Sequence, residues 1–114
     1  MTALTYTADE LINKAAAILG KFIPGEALGE IEQETIDRAY TSVLEETAKI
    51  AYIGDRDAIP ALLFETIARM TAITAAAYFS NQPVDYATVF QHEQRLRYLV
   101  AQTPTYEILA VNYF

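Results

Sequence analysis

The chain has 114 residues, 53% of them hydrophobic, a formal net charge of −7 and no cysteine. That length suits one small domain with one core, and the missing thiols exclude a disulfide framework or a thiolate metal site, in keeping with a reducing compartment. Residues 1–57 carry 11 acids against 5 bases and residues 58–114 carry 4 against 3; such a surface does not draw phosphate backbones by counterion release, so no specific nucleic-acid binding is expected, although DNA could slide past it.

The opening Met-Thr-Ala-Leu-Thr-Tyr lacks the basic start and apolar run of a signal peptide. A first helix is predicted over residues 8–19. Thr7 stands as N-cap with Glu10 at the capping-box spacing, and Asp9 and Glu10 suit the positive end of the helix dipole. Ala8, Leu11, Ile12, Ala15, Ala16, Leu19 and Phe22 recur at helical spacing and give one apolar face. Gly20 is the expected C-cap, and Pro24-Gly25 and Gly29 mark a loop.

A second helix is predicted over residues 31–52, with a stripe of Ile36, Ala39, Tyr40, Val43, Leu44, Thr47, Ala48 and Ala51. Glu34 with Arg38, and Glu45 with Lys49, sit four apart in the favourable order. Gly54 is the expected end of this helix, and Asp55-Arg56-Asp57 reads as a polar turn. A third helix should start around Pro60, in its first turn, and run to about residue 79. It is apolar nearly all round, which places it centrally in the bundle, and its small residues between Ala72 and Ala77 permit close helix approach. The stretch 59–79 is too charged for a membrane span, because Glu65 and Arg69 are costly at bilayer depth; the two should pair on the one wet strip. Pro83 closes the element. Asp85 is the expected N-cap of a fourth helix reaching residue 102, with Tyr86, Val89, Phe90, Glu93, Leu96 and Val100 on one face and Arg95 and Arg97 in its C-terminal half.

Pro104 stops that helix. Residues 104–114, Pro-Thr-Tyr-Glu-Ile-Leu-Ala-Val-Asn-Tyr-Phe, have the composition of a strand. No upstream stretch reads as a strand long enough to pair with them. An unpaired strand leaves N–H and C=O groups needing partners, and a disordered terminus would be polar and poor in aromatics. The segment is therefore expected to dock on another polypeptide, or to fold back over its own helices, with Tyr106, Ile108, Leu109, Val111, Tyr113 and Phe114 as the partner-binding residues. The fold class expected is all-α: a small bundle of about four helices over residues 1–103, carrying an extended C-terminal arm.

Catalytic chemistry finds little support. His92 is the one histidine, and no acid lies three or four residues to either side of it. Glu30, Glu34 and Asp37 share a helix face, but matching histidines for a di-iron site are missing, so a solvated acidic face is expected. Asp55-Arg56-Asp57 lacks the ligand spacing and closing glutamate of an EF-hand. Gly20, Gly25 and Gly29 fit neither a dinucleotide fingerprint nor a phosphate loop. No enzyme activity, cofactor or metal is expected. The eight tyrosines and five phenylalanines crowd into the second half and into the arm, which suits an interface.

The run Thr-Ala-Asp-Glu-Leu-Ile-Asn-Lys-Ala-Ala-Ala-Ile-Leu-Gly at 7–20 resembles the first helix of tailed-bacteriophage head-to-tail connector proteins, also called adaptor or head-completion proteins. A Gly/Glu-rich loop, an acidic second helix, Ile59-Pro60 before an alanine-rich third helix, and the aromatic finish at 107–114 are similar to that family too. Ser42-Val43-Leu44 departs from it, standing where an Asn-(Leu/Met)-Leu-like signature is expected. The resemblance implies a virion protein of the head–tail interface that assembles in the host cytoplasm. It implies a homo-oligomeric ring, about twelve-fold, between the portal protein and the tail or stopper proteins. The free subunit would be a monomer, the C-terminal segment would contact the portal, and DNA would pass without specific binding. The other reading left open by the residues is a small cytoplasmic helical module that regulates or captures one partner.

Overall fold

The structure is a computed structural model that describes residues 4–21 and 25–102. Its elements in chain order are β1 (Thr5–Tyr6), α1 (Ala8–Ile18), α2 (Glu30–Thr47), β2 (Ile59–Pro60), α3 (Ala61–Ser80) and α4 (Tyr86–Gln102). It is a small all-α bundle, with one short antiparallel pair that sequence patterning did not anticipate: Thr5 faces Pro60 and Tyr6 faces Ile59. Phe22, Pro24, Pro104 and the expected arm at 104–114 lie outside the described residues.

Local signals set most helix ends. The Thr7 side chain accepts from the Glu10 amide, and Glu10 reaches back to the Thr7 amide at 3.0 Å, completing the capping box. A long-range partner joins it, since the Asp57 carboxylate accepts the Ala8 amide at 3.0 Å. At the other end Gly20, with φ of +75°, lets the Lys21 amide reach the Ala16 carbonyl at 2.8 Å and its own amide reach Ala17 at 3.0 Å. Asn81 does the same for α3 with φ of 54°, its amide and that of Gln82 closing on Tyr78 and Ala77. Asp85 caps α4, its carboxylate accepting the Thr88 amide at 3.2 Å and the Thr88 hydroxyl at 2.7 Å. Those bonds, the hydroxyl's first, hold its carboxyl below the usual range.

Two helix boundaries differ from expectation. α2 stops at Thr47 rather than running to Tyr52: the Thr47 carbonyl accepts the amides of both Ile50 and Ala51, which tightens the chain into a turn. Lys49 thus falls outside the helix, and Glu45–Lys49 does not form. Arg38 sits over the Tyr78 ring, 5.5 Å from its centroid, instead of pairing with Glu34. Pro60 is the residue before α3 rather than inside its first turn, and still pairs in β2.

α3 is the hub, packing against α1, α2, α4 and both short strands. It is long and apolar enough to cross a bilayer, but its most apolar 18-residue stretch is 56% buried inside the bundle. Its alanines Ala72 and Ala75 meet Ala15, Ala16 and Ala39 of α1 and α2 beside Ile12 and Ile36, so three helices approach closely along a seam of small side chains. The larger cluster gathers Leu11, Tyr40, Val43, Ile59, Leu63, Ile67, Met70 and, from α4, Val89, Leu96 and Leu99. Tyr6 stacks obliquely on Phe64 with centroids 4.2 Å apart, closing the strand pair over the start of α3. Thr71 is fully buried, and its hydroxyl has no hydrogen-bond partner among the described residues. Thr71→Val keeps the shape and removes that unsatisfied group; it is expected to stabilise the fold by up to about 1 kcal/mol in urea unfolding. A loss of stability would mean that the hydroxyl has a partner in solution.

Candidate functional site

The polar turn Asp55-Arg56-Asp57 is a latch rather than a ligand site. Asp57 caps α1, Arg56 pairs with Asp37 of α2, and the Arg56 carbonyl accepts the Tyr40 hydroxyl at 2.8 Å. The Arg56 guanidinium also lies over the Tyr40 ring, 5.0 Å from the centroid. Asp37, with Glu30, Gln33 and Glu34, lines a shallow depression on α2, the acidic face expected from spacing. Among the described residues no group of three or more histidines or carboxylates is placed to hold a metal ion.

The most chemically mixed surface lies between α3 and α4. A groove of about 590 Å³ is lined by Ala61, Leu62, Glu65, Thr66 and Arg69 from one helix and by His92, Arg95 and Leu99 from the other. Because the helices run antiparallel across a short connection, Leu99 faces the start of α3 and His92 faces Arg69. The groove is apolar at the Leu62–Leu99 end and charged at the Arg69–His92 end. Glu65 is already engaged: Arg69 holds it at 3.0 Å and Lys14 of α1 at 3.5 Å. His92 is held below its ordinary value by burial first and by the Arg69 charge second, so its neutral form is favoured.

His92 and Glu65 therefore share one groove, a convergence that sequence spacing could not reveal. They do not form a proton-transfer pair, because no carboxylate is hydrogen-bonded to the imidazole among the described residues and Glu65 is occupied by two cations. What the groove offers is the Arg69 guanidinium held on Glu65, the Arg95 guanidinium over the Tyr98 ring at 5.2 Å, an imidazole and flanking leucines: a surface for an acidic group carried beside apolar ones.

Sequence spacing put Tyr86 and Phe90 on one face of α4 with Val89 and Leu96; the structure buries Val89 and Leu96 and leaves the two aromatics exposed. Tyr86 is 61% exposed and Phe90 57%; with Tyr98 at 54% they leave aromatic surface uncovered, while Val89, Leu96 and Leu99 hold the helix down. Phe79 does pack, against the alanine seam, and Lys21 lies over its ring at 4.4 Å. Groove residues Leu62, Thr66 and Arg95 were read from sequence only as helix positions and Leu99 was not singled out; Arg95 and Leu99, three and seven after His92, were the available helical-spacing signal. The expected partner-binding residues Tyr106, Ile108, Leu109, Val111, Tyr113 and Phe114 lie outside the described residues.

Protein-family models, curated proteins and solved structures were compared with the chain, and none matches.

Proposed function

We propose that the protein is a non-enzymatic structural adaptor of a phage or phage-like particle, forming a ring between portal and tail through which DNA passes. The observation that carries this reading is the uncovered aromatic surface of α4. A bundle whose core is otherwise closed leaves Tyr86, Phe90 and Tyr98 exposed on the helix that leads directly into the strand-like segment 104–114. Exposed tyrosine and phenylalanine on a helix that precedes a segment of strand-like composition are the ingredients of an assembly surface. The net charge of −7 supports passage of DNA without adhesion, and the resemblance of residues 7–20 and 59–79 to connector proteins points the same way.

Because the described residues up to Gln102 already build two core clusters, a chain ending at residue 103 is expected to keep its helicity and melting temperature. It is expected to lose incorporation into particles, measured by co-purification with portal-containing heads. Normal incorporation of the shortened chain would overturn the adaptor reading. The mixed groove between α3 and α4 favours a second reading, a helical module that captures a single partner. Native mass spectrometry of the assembled complex separates them, since a ring of many copies supports the adaptor and a one-to-one complex supports the capture module.

A further inference from the structure

We infer that the α3–α4 groove of one copy receives residues 104–114 of a second copy, Glu107 lying between Arg69 and Arg95 and the apolar residues after it running toward Leu62 and Leu99. This deepens the adaptor reading by naming the partner of the C-terminal segment, and rests on that reading only for closure into a ring.

Charge complementarity is the first argument. On a molecule of net charge −7, the groove holds Arg69 and Arg95 against one carboxylate, Glu65, which Lys14 and Arg69 already neutralise; Arg95, over the Tyr98 ring at 5.2 Å, has no carboxylate of its own among the described residues. Residues 104–114 carry one charged side chain, the carboxylate of Glu107, followed by Ile108 and Leu109. Length is the second. Seven residues of α3 separate Leu62 from Arg69, about 10 Å at helical rise, which about three extended residues span. A carboxylate at the arginine end therefore sets Ile108 to Ala110 along the apolar end, where Leu62 is 48% exposed.

The choice of a second copy follows from the sequence at the exit of α4. The helix ends at Gln102, and Pro104 drives the residue before it away from helical geometry toward extended backbone. No glycine, the residue that reverses a chain most readily, lies between Gln102 and Glu107, which favours a second copy's groove over a return to the one the chain leaves. Segment into neighbouring groove is a heterologous contact, the kind that repeats from copy to copy and can close into a ring.

The absence of cysteine makes a direct test available on the full chain. The double variant Leu62→Cys with Ala110→Cys, oxidised mildly, is expected to give a ladder of disulfide-linked dimers and higher species. Its cross-linking should be at least about ten-fold faster than that of a control pairing Ile31→Cys with Ala110→Cys. Mixing the two single variants, Leu62→Cys and Ala110→Cys, is expected to yield the mixed dimer. An internally closed monomer, or cross-linking no faster than the control, overturns the inference. Neither of those outcomes touches the adaptor reading, which stands or falls on incorporation of the chain shortened at residue 103.

Discussion

Tyr40→Ala is expected to lower the unfolding free energy by about 3–5 kcal/mol, the range for emptying a large aromatic site in a packed core. Tyr40 has no exposed surface and lies in the larger core cluster between α1, α3 and the start of β2. Its loss also leaves the Arg56 carbonyl without its donor and takes the ring from beneath the Arg56 guanidinium. Tyr40→Phe isolates the hydroxyl and is expected to cost about 1–2 kcal/mol.

The two variants also differ from wild type in alkali. Burial pushes the Tyr40 hydroxyl up to about 12 from an ordinary value of 10.0, against the opposing pull of Arg56. The folded state thus holds this proton more tightly than the unfolded chain does. The associated stability is fully present below about pH 10 and is lost as pH rises through the folded value near 12. The full loss is about 2–3 kcal/mol, from about two units of difference. Urea unfolding of wild type and Tyr40→Phe at about pH 8 and about pH 11 should show the wild type weakening more steeply. Parallel declines would show that the hydroxyl ionises as freely in the fold as outside it.

Leu96→Ala should cost about 2–5 kcal/mol, and the loss should be local before it is global. α4 packs principally on α3 and is anchored by three buried residues, Val89, Leu96 and Leu99. Leu96, fully buried, is the central one. Hydrogen exchange should show the amides of α4 opening well below the energy at which α1, α2 and α3 open, since their shared seam of alanines does not involve α4. Uniform loss of protection across all four helices would show instead that α4 is integral to the cooperative unit. The proposed groove is half built from α4. Adding Leu96→Ala to the Leu62→Cys, Ala110→Cys variant should therefore slow its cross-linking.

Where a residue and its partner lie within one turn, the sequence announced the structure. Thr7 with Glu10, Gly20 after α1, Asp85 with Thr88 and the pairing of Glu65 with Arg69 were all readable, because each is an i to i+3 or i+4 relation or a backbone requirement of one residue. The central position of α3 was readable too, from an apolar surface that leaves few directions for water. Longer-range relations were not. Asp57 and Ala8 are 49 residues apart, and Arg56 and Tyr40 sixteen, so a charged turn looked like any solvated turn. The early stop of α2 carries no glycine or proline at Thr47, and its apolar spacing continues unbroken to Ala51. On α4 the spacing named Val89 and Leu96 together with Tyr86 and Phe90, and only the first two, with Leu99, are buried, because rotation about a helix axis is chosen by the neighbour it packs on. The groove required that rotation, which explains why His92 and Glu65 looked unrelated in the sequence.

The position of α3 has a consequence for how the protein is made. α1 and α2 share part of the alanine seam, but the remaining wall comes from Ala72 and Ala75, and β1 has no strand to meet until Ile59 and Pro60 exist. On a ribosome adding about 5–20 residues each second, the first two helices must wait for several seconds of further translation before they have anything complete to close on. Chaperones would meet the nascent chain in that interval, when the apolar faces of Leu11 and Ile36 are still open to water.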